Sequence, residues 1–186
     1  MNIVYGGSFN PPQIAHKEIY NFLKSKFKPQ SIIIMPVGCS YKKPSLIDGM
    51  HRFNMCKLNF KDAIISDLEI NNVEYKGTKD TLDRLGLEDL YYVIGADNLV
   101  ELDTWINYKE LLKKYRFIVF NRNHFDCDKI IKEKYSEYVN QFIIVDFCLD
   151  VSSSAIRENL EKNKHLLDAS VYKYIVENKL YGGGLI

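Results

Sequence analysis

At 186 residues, with 46% hydrophobic and 26% charged side chains, the chain is long enough to bury one sizeable core and has the composition of a globular domain. Its 25 lysines and arginines against 24 acids leave a net charge of +1, which argues against a nucleic-acid surface or a polybasic membrane anchor. No run of about 18 apolar residues offers a membrane-spanning helix, and the opening MNIVYGG has no secretory-signal pattern.

The first short apolar run, NIVY (2–5), reads as a strand that feeds GGSFNPPQIAH (6–16). A residue before proline avoids the α region, so the helix carried by Ile19, Phe22, Leu23 and Phe27 is expected to begin no earlier than Pro12. SIIIMPV (31–37) is the second strand, followed by SYKKP (40–44) with Lys42 and Lys43. Asp48 is placed to cap a helix carried by Phe53, Cys56 and Phe60, with Arg52 positioned to share the lysine pocket. DAIISDLEI (62–70) suggests a weaker strand, and Thr78 a cap ahead of KDTLDRLGL. LYYVIGA (90–96), RFIVFNR (116–122) and QFIIVDF (141–147) are further buried strands. Leu111, Leu112 and Tyr115, then Ile130, Ile131 and Tyr135, mark the helices around them. The C-terminal part, about 152–186, turns helical in SSSAIRENLEKN and LLDASVYKYIVENKLY before Gly182, Gly183 and Gly184.

With no repeat or linker, residues 1–186 read as one α/β domain, a mainly parallel sheet with helices on both faces. Cys39, Cys56, Cys127 and Cys148 are scattered without a CxxC pair, so neither a disulfide framework nor a zinc site is expected. Such isolated thiols fit a cytoplasmic protein.

Ligands of such folds bind at the carboxyl ends of strands. Those ends carry Gly6, Gly7 and Ser8; Lys42 and Lys43; Gly95, Asp97 and Asn98; Arg122; and Ser152, Ser153, Ser154 and Arg157. Neither GxGxxG nor GxxxxGK[ST] is present, yet paired glycines let a backbone approach phosphate. His16 is expected about one turn inside the first helix, near its positive end. A plain strand-to-helix turn with a surface histidine is the simpler alternative for the loop taken alone. Trp105, the only tryptophan, offers a stacking face or ordinary core packing. No Ser-His-Asp order, metal-ligand cluster or carboxylate pair stands out. Transfer of a nucleotidyl group to an existing phosphate needs none of them, because the attacking oxygen is already anionic and positioning with cationic electrostatics does the work.

The sequence resembles the bacterial nicotinate-nucleotide adenylyltransferases of the (H/T)xGH nucleotidyltransferase superfamily along essentially its whole length. GGSFNPPQIAH matches GG(S/T)F(D/N)PxHxGH, VSSSAIR matches ISS(S/T)xIR, YKGTKDTL loosely matches SYTxDTL, and GADNLVELDTW matches a G-x-D segment followed by tryptophan. The resemblance implies a single-domain Rossmann-like nucleotidyltransferase fold that moves AMP from ATP to nicotinate mononucleotide, with Mg2+ riding on the ATP phosphates. It implies catalysis by His16, Arg157 and Lys43. ATP would be bound by Gly6, Gly7, Ser8, Phe9, Gln13 and His16 on the first loop. Gly95 and Asp97 would hold its ribose, and Ser153, Ser154, Ile156 and Arg157 its adenine side and triphosphate. Asn10, Lys42, Lys43, Thr78 and Trp105 would hold the acceptor. No nucleic-acid or membrane partner is expected, and the sequence leaves the oligomeric state open, a homodimer being one option.

Two positions depart from the signature. Gln13 replaces its first histidine or threonine, and Ala15 replaces its glycine. Glutamine can donate to phosphate but cannot carry charge, so His16 is expected to bear the main burden. Alternatives are an amide mononucleotide or another phosphorylated acceptor, or a nucleotide-binding regulator without turnover.

Overall fold

The apolar runs pair side by side, as near-continuous hydrophobicity requires of strands covered on both faces. The computed structural model describes residues 1–38, 45–72, 74–121, 125–147 and 151–182. Its strands are β1 (Asn2–Gly7), β2 (Ser31–Pro36), β3 (Ile64–Ile65), β4 (Leu90–Gly95), β5 (Arg116–Asn121) and β6 (Phe142–Asp146). They form one sheet of order β3-β2-β1-β4-β5-β6, parallel at each described pairing. Val4 lies opposite Ile33 and Tyr92, and Tyr5 opposite Ile34 and Val93. This is a doubly wound order, whose direction reverses between β1 and β4.

The described helices are α1 (Ile14–Phe27), α2 (Gly49–Asn59), α3 (Thr78–Leu85), α4 (Ala96–Glu101), α5 (Tyr108–Lys114) and α6 (Cys127–Lys134). The C-terminal part adds α7 (Ser153–Glu158), α8 (Leu160–Asn163) and α9 (Ala169–Glu177). Alternate strand residues divide the core in two. Val4, Ile33, Tyr92, Ile94 and Phe117 pack with apolar residues of α3 to α6. Ile3, Tyr5, Ile34, Tyr91 and Val93 pack on the other face with Ile19 and Leu23 of α1 and Cys56 of α2. A third cluster joins Met55 of α2 to Ile156, Leu160, Val171 and Ile175 of the C-terminal helices. Chain passing up β1 therefore turns into α1 on one face, while β4 turns into α4 on the other. The crevice between them opens at Gly7 and Gly95.

Some expectations are corrected. DAIISDLEI pairs only at Ile64–Ile65, because the chain then turns, with Asn71 N–H donating to the Asp67 carbonyl at 3.0 Å. Gly77, at φ 100°, rather than Thr78, precedes α3, and its backbone conformation is one that favours glycine. The expected helix over SSSAIRENLEKN breaks at Asn159, whose side chain accepts from the Lys162 N–H and starts α8 anew. Asp48 does cap α2, accepting from the Met50 N–H at 2.8 Å. Among the described residues no helix is long and apolar enough to cross a membrane. Cys56 and Cys127 are free and buried, and burial raises both thiols above their ordinary range. Cys39, Cys148, Arg122, Gly183 and Gly184 lie outside the described residues.

Candidate active site

The loop leaving β1 is shaped by aromatic packing beneath it. A side chain at Gly6 would collide with the Tyr92 hydroxyl, and one at Gly7 would press on the Phe9 ring. Phe9 itself sits at φ 43°, a region bulky residues rarely occupy, and is 1% exposed. Its ring meets His16 edge-on at 5.1 Å and lies 5.4 Å from Tyr5 and 5.7 Å from Phe60. Phe9 thus supports the imidazole from below rather than offering itself to a ligand.

The first helix begins at Ile14 with Gln13 as its N-cap, in keeping with the limit set by Pro12. The Gln13 side-chain oxygen accepts the Ala15 N–H at 2.7 Å, and the Gln13 backbone N–H donates to His16 Nδ1 at 3.1 Å. The Gln13 side chain also accepts from the His16 backbone N–H, so Gln13 and His16 form a reciprocal capping box. Because Nδ1 accepts, the proton of the neutral ring lies on Nε2, which makes His16 a hydrogen-bond donor at that atom. Gln13 is 1% exposed, and its amide nitrogen donates to the Val151 carbonyl at 3.0 Å. This differs from an amide turned toward phosphate. The long side chain folds back over the helix start and reaches the strand-end segment 138 residues away.

That segment meets the first loop at several points. Ser152 caps α7 by accepting the Ser154 N–H at 3.2 Å. Ser153 Oγ donates to the Pro11 carbonyl at 3.1 Å. The Arg157 guanidinium donates to the Asn10 carbonyl at 2.8 Å and to Ser154 Oγ at 2.9 Å. Serines, arginine and His16 are therefore assembled around one loop, as the strand-end rule led one to expect. The Ile156 side chain is fully buried in the third core cluster, which leaves only its backbone for a ligand.

Asn10 was expected to hold the acceptor, but its side chain is 4% exposed and taken up within the protein. Its amide nitrogen donates to the Ser45 carbonyl at 2.7 Å. Its oxygen accepts the Tyr181 hydroxyl at 2.6 Å and the Ile47 N–H at 3.5 Å. Arg52 likewise does not lie open in a lysine pocket. It is 1% exposed and donates to the carbonyls of Ile47 at 3.0 Å, Ser8 at 3.0 Å and Val37 at 2.7 Å, bracing the ends of β1 and β2 together. Behind it, burial raises the Glu69 carboxyl, opposed by hydrogen bonds from the Gly38 N–H and the Thr81 hydroxyl and by the Arg52 charge. Sequence reading missed Glu69 and Tyr181; neither lies at a strand end. Lys42 and Lys43 lie outside the described residues.

At the end of β4, Gly95 starts α4 and Asp97, exposed, stands in its first turn. Thr78 is 5% exposed and its hydroxyl pairs with that of Tyr75 at 3.1 Å. Trp105 is half-buried, its ring edge-on to Tyr92 at 6.3 Å. Gly77 packs directly on Ile106, so the neighbours of Thr78 and Trp105 touch.

A doubly wound parallel sheet with glycine, hydroxyl, imidazole and guanidinium groups at its reversal point defines a nucleotide-binding α/β protein. The cytidylyltransferase-like family model matches residues 4–159. A probable nicotinate-nucleotide adenylyltransferase of Acholeplasma laidlawii is 42% identical over 187 residues, 97% of each chain. One of Fusobacterium nucleatum is 36% identical, covering 92% of this chain and 93% of that protein. The chain belongs to the cytidylyltransferase-like family, within the group of nicotinate-nucleotide adenylyltransferases. Among solved structures, Plasmodium falciparum nicotinic acid mononucleotide adenylyltransferase complexed with NaAD superposes with a TM-score of 0.82. It is 22% identical, covering 100% of this chain and 98% of that one, a likeness of fold.

Proposed function

We infer that the protein transfers the adenylyl group of ATP to nicotinate mononucleotide, giving nicotinate adenine dinucleotide and pyrophosphate for NAD biosynthesis. The observation that carries this reading is the joining of His16, with its proton on Nε2, to the Ser153–Arg157 segment through the Asn10–Gln13 loop. The near full-length identity to relatives named for this activity supports it.

An acceptor phosphate oxygen attacks the α-phosphorus of ATP. A new P–O bond forms as the bond to the bridging oxygen breaks, and pyrophosphate leaves with that electron pair. His16 donates from Nε2 to a non-bridging α-phosphate oxygen as charge gathers there. Arg157, with Lys43, balances the triphosphate; Gly6, Gly7 and Ser8 give it backbone room, and Gly95 with Asp97 holds the ribose. Thr78, Trp105 and Lys42 frame the acceptor. Gln13 and Asn10 serve by holding these parts in place.

The donors here are N–H and O–H groups suited to anions. Among the described residues no three His, Cys, Asp or Glu side chains group to hold a metal. In this reading Mg2+ would arrive with the ATP phosphates and offset their charge. A cytoplasmic homodimer completes the reading, its assembly state checked by light scattering.

Pyrophosphate release measured with nicotinate mononucleotide, nicotinamide mononucleotide and phosphopantetheine tests it. The acid mononucleotide is expected to give the highest kcat/KM. Preference for another acceptor overturns the substrate, and ATP binding without release for any acceptor overturns the enzyme.

A further inference from the structure

The C-terminal segment reaches the site through one hydroxyl. After α9 the chain turns through Leu180–Gly182, with Tyr181 at φ 52°, a left-handed conformation that bulky residues rarely adopt. That turn carries the ring inward against the third core cluster and brings its hydroxyl to Asn10. The direction of the bond is fixed. The Asn10 nitrogen donates to Ser45, so its oxygen is the atom that accepts from Tyr181 and from the Ile47 N–H. Burial also raises the Tyr181 hydroxyl well above its ordinary range, against the nearby charges of Arg157 and Arg52, so it stays protonated and donates.

Asn10 is consequently a junction of several chain segments. Its carbonyl holds Arg157, its amide holds Ser45 and Ile47, and Tyr181 fixes the amide's orientation. Ser45 and Ile47 lie two and four residues after Lys43 in the chain. We propose that Tyr181 is a positioning residue for the reaction, acting through Asn10 to anchor the Ser45–Ile47 stretch ahead of α2 and so set affinity for the acceptor. This rests on the adenylyl-transfer reading above.

Tyr181→Phe keeps the ring and removes only the hydroxyl. A buried hydrogen bond of ordinary strength predicts a rise of about fivefold in KM for the acceptor with kcat unchanged within about twofold. Tyr174→Phe is the structural comparison. Its hydroxyl binds His51 Nδ1 at 3.0 Å and Asn54 at 3.1 Å, joining α9 to α2 rather than to Asn10. It should lower Tm without changing acceptor KM. In an Asn10→Ala background, adding Tyr181→Phe should have no further effect on KM.

Hydrogen exchange at the Ile47 amide, measured without substrates, should quicken in Tyr181→Phe and not in Tyr174→Phe. If both tyrosine variants lose Tm alike while acceptor KM and Ile47 exchange stay at wild-type values, the role is structural and the inference fails. If the wild type turns over no acceptor, the functional reading fails instead. Ile47 exchange then decides whether Tyr181 controls the Ser45–Ile47 stretch: faster exchange supports that control, and unchanged exchange overturns it.

Discussion

His16 accepts the backbone N–H of Gln13 through Nδ1 at 3.1 Å, and the helix cap thereby dictates which ring nitrogen carries the proton. The same bond that starts α1 prepares the donor. His16→Ala removes that donor and should lower single-turnover adenylyl transfer by about 100- to 1,000-fold, the cost seen when one preorganised donor is lost. Because Gln13 keeps its own side-chain cap, Tm should fall only slightly. A loss below about tenfold would remove His16 from the chemical step.

Gln13 faces inward, so its substitutions should act on stability before chemistry. Gln13→Ala deletes both the cap and the Val151 tether and should cost about 1–2 kcal/mol. Gln13→Thr retains a cap but is too short for Val151, and should fall between wild type and alanine in Tm. A Gln13→Ala protein with wild-type Tm and much slower transfer would place the amide on substrate after all.

Arg52 satisfies three carbonyls where water is excluded. Arg52→Met leaves them without this donor and should cost about 3 kcal/mol or more, read as a drop in denaturant midpoint. Arg52→Lys should rescue only part, since an ammonium cannot span the guanidinium's fork.

Lys17, beside His16 in α1, pairs with Asp168 at 2.8 Å, and Asp168 also accepts the Ser170 N–H at 3.0 Å as the cap of α9. The hydrogen bond from Lys17 comes first among the causes that hold the Asp168 carboxyl down at about 2, against an ordinary 3.8. A depressed carboxyl contributes stability that is full above its unfolded value and lost as pH falls through its folded one. Acid unfolding followed between pH 5 and about 2 should therefore show a shallower loss in Asp168→Asn than in wild type.

The sheet was legible because its strands are almost unbroken runs of Ile, Val, Phe and Tyr, with few alternative arrangements. Two of the ranked strand ends do meet, Ser153 bonding the Pro11 carbonyl and Arg157 the Asn10 carbonyl. The two-residue extent of β3 was hidden, since nothing local in DAIISDLEI tells an edge strand from a turn. Short α4 was hidden too, six residues with too little periodicity to register. Least legible were the inward lives of Gln13, Asn10 and Arg52. Each is polar, sits in a site motif or beside one, and looks destined for a ligand. Only partners far along the chain, such as Val151 and Tyr181, show otherwise.

The ties that close the first loop span 138 residues from Gln13 to Val151, 147 from Asn10 to Arg157 and 171 from Asn10 to Tyr181. A ribosome would thus release the chain through Tyr181 before that loop found all of these partners. Contacts so distant in sequence form late and slowly. Nucleotide grip would then arise only after α7 has been made, and a chain cut short before α7 would leave its opening loop unfastened.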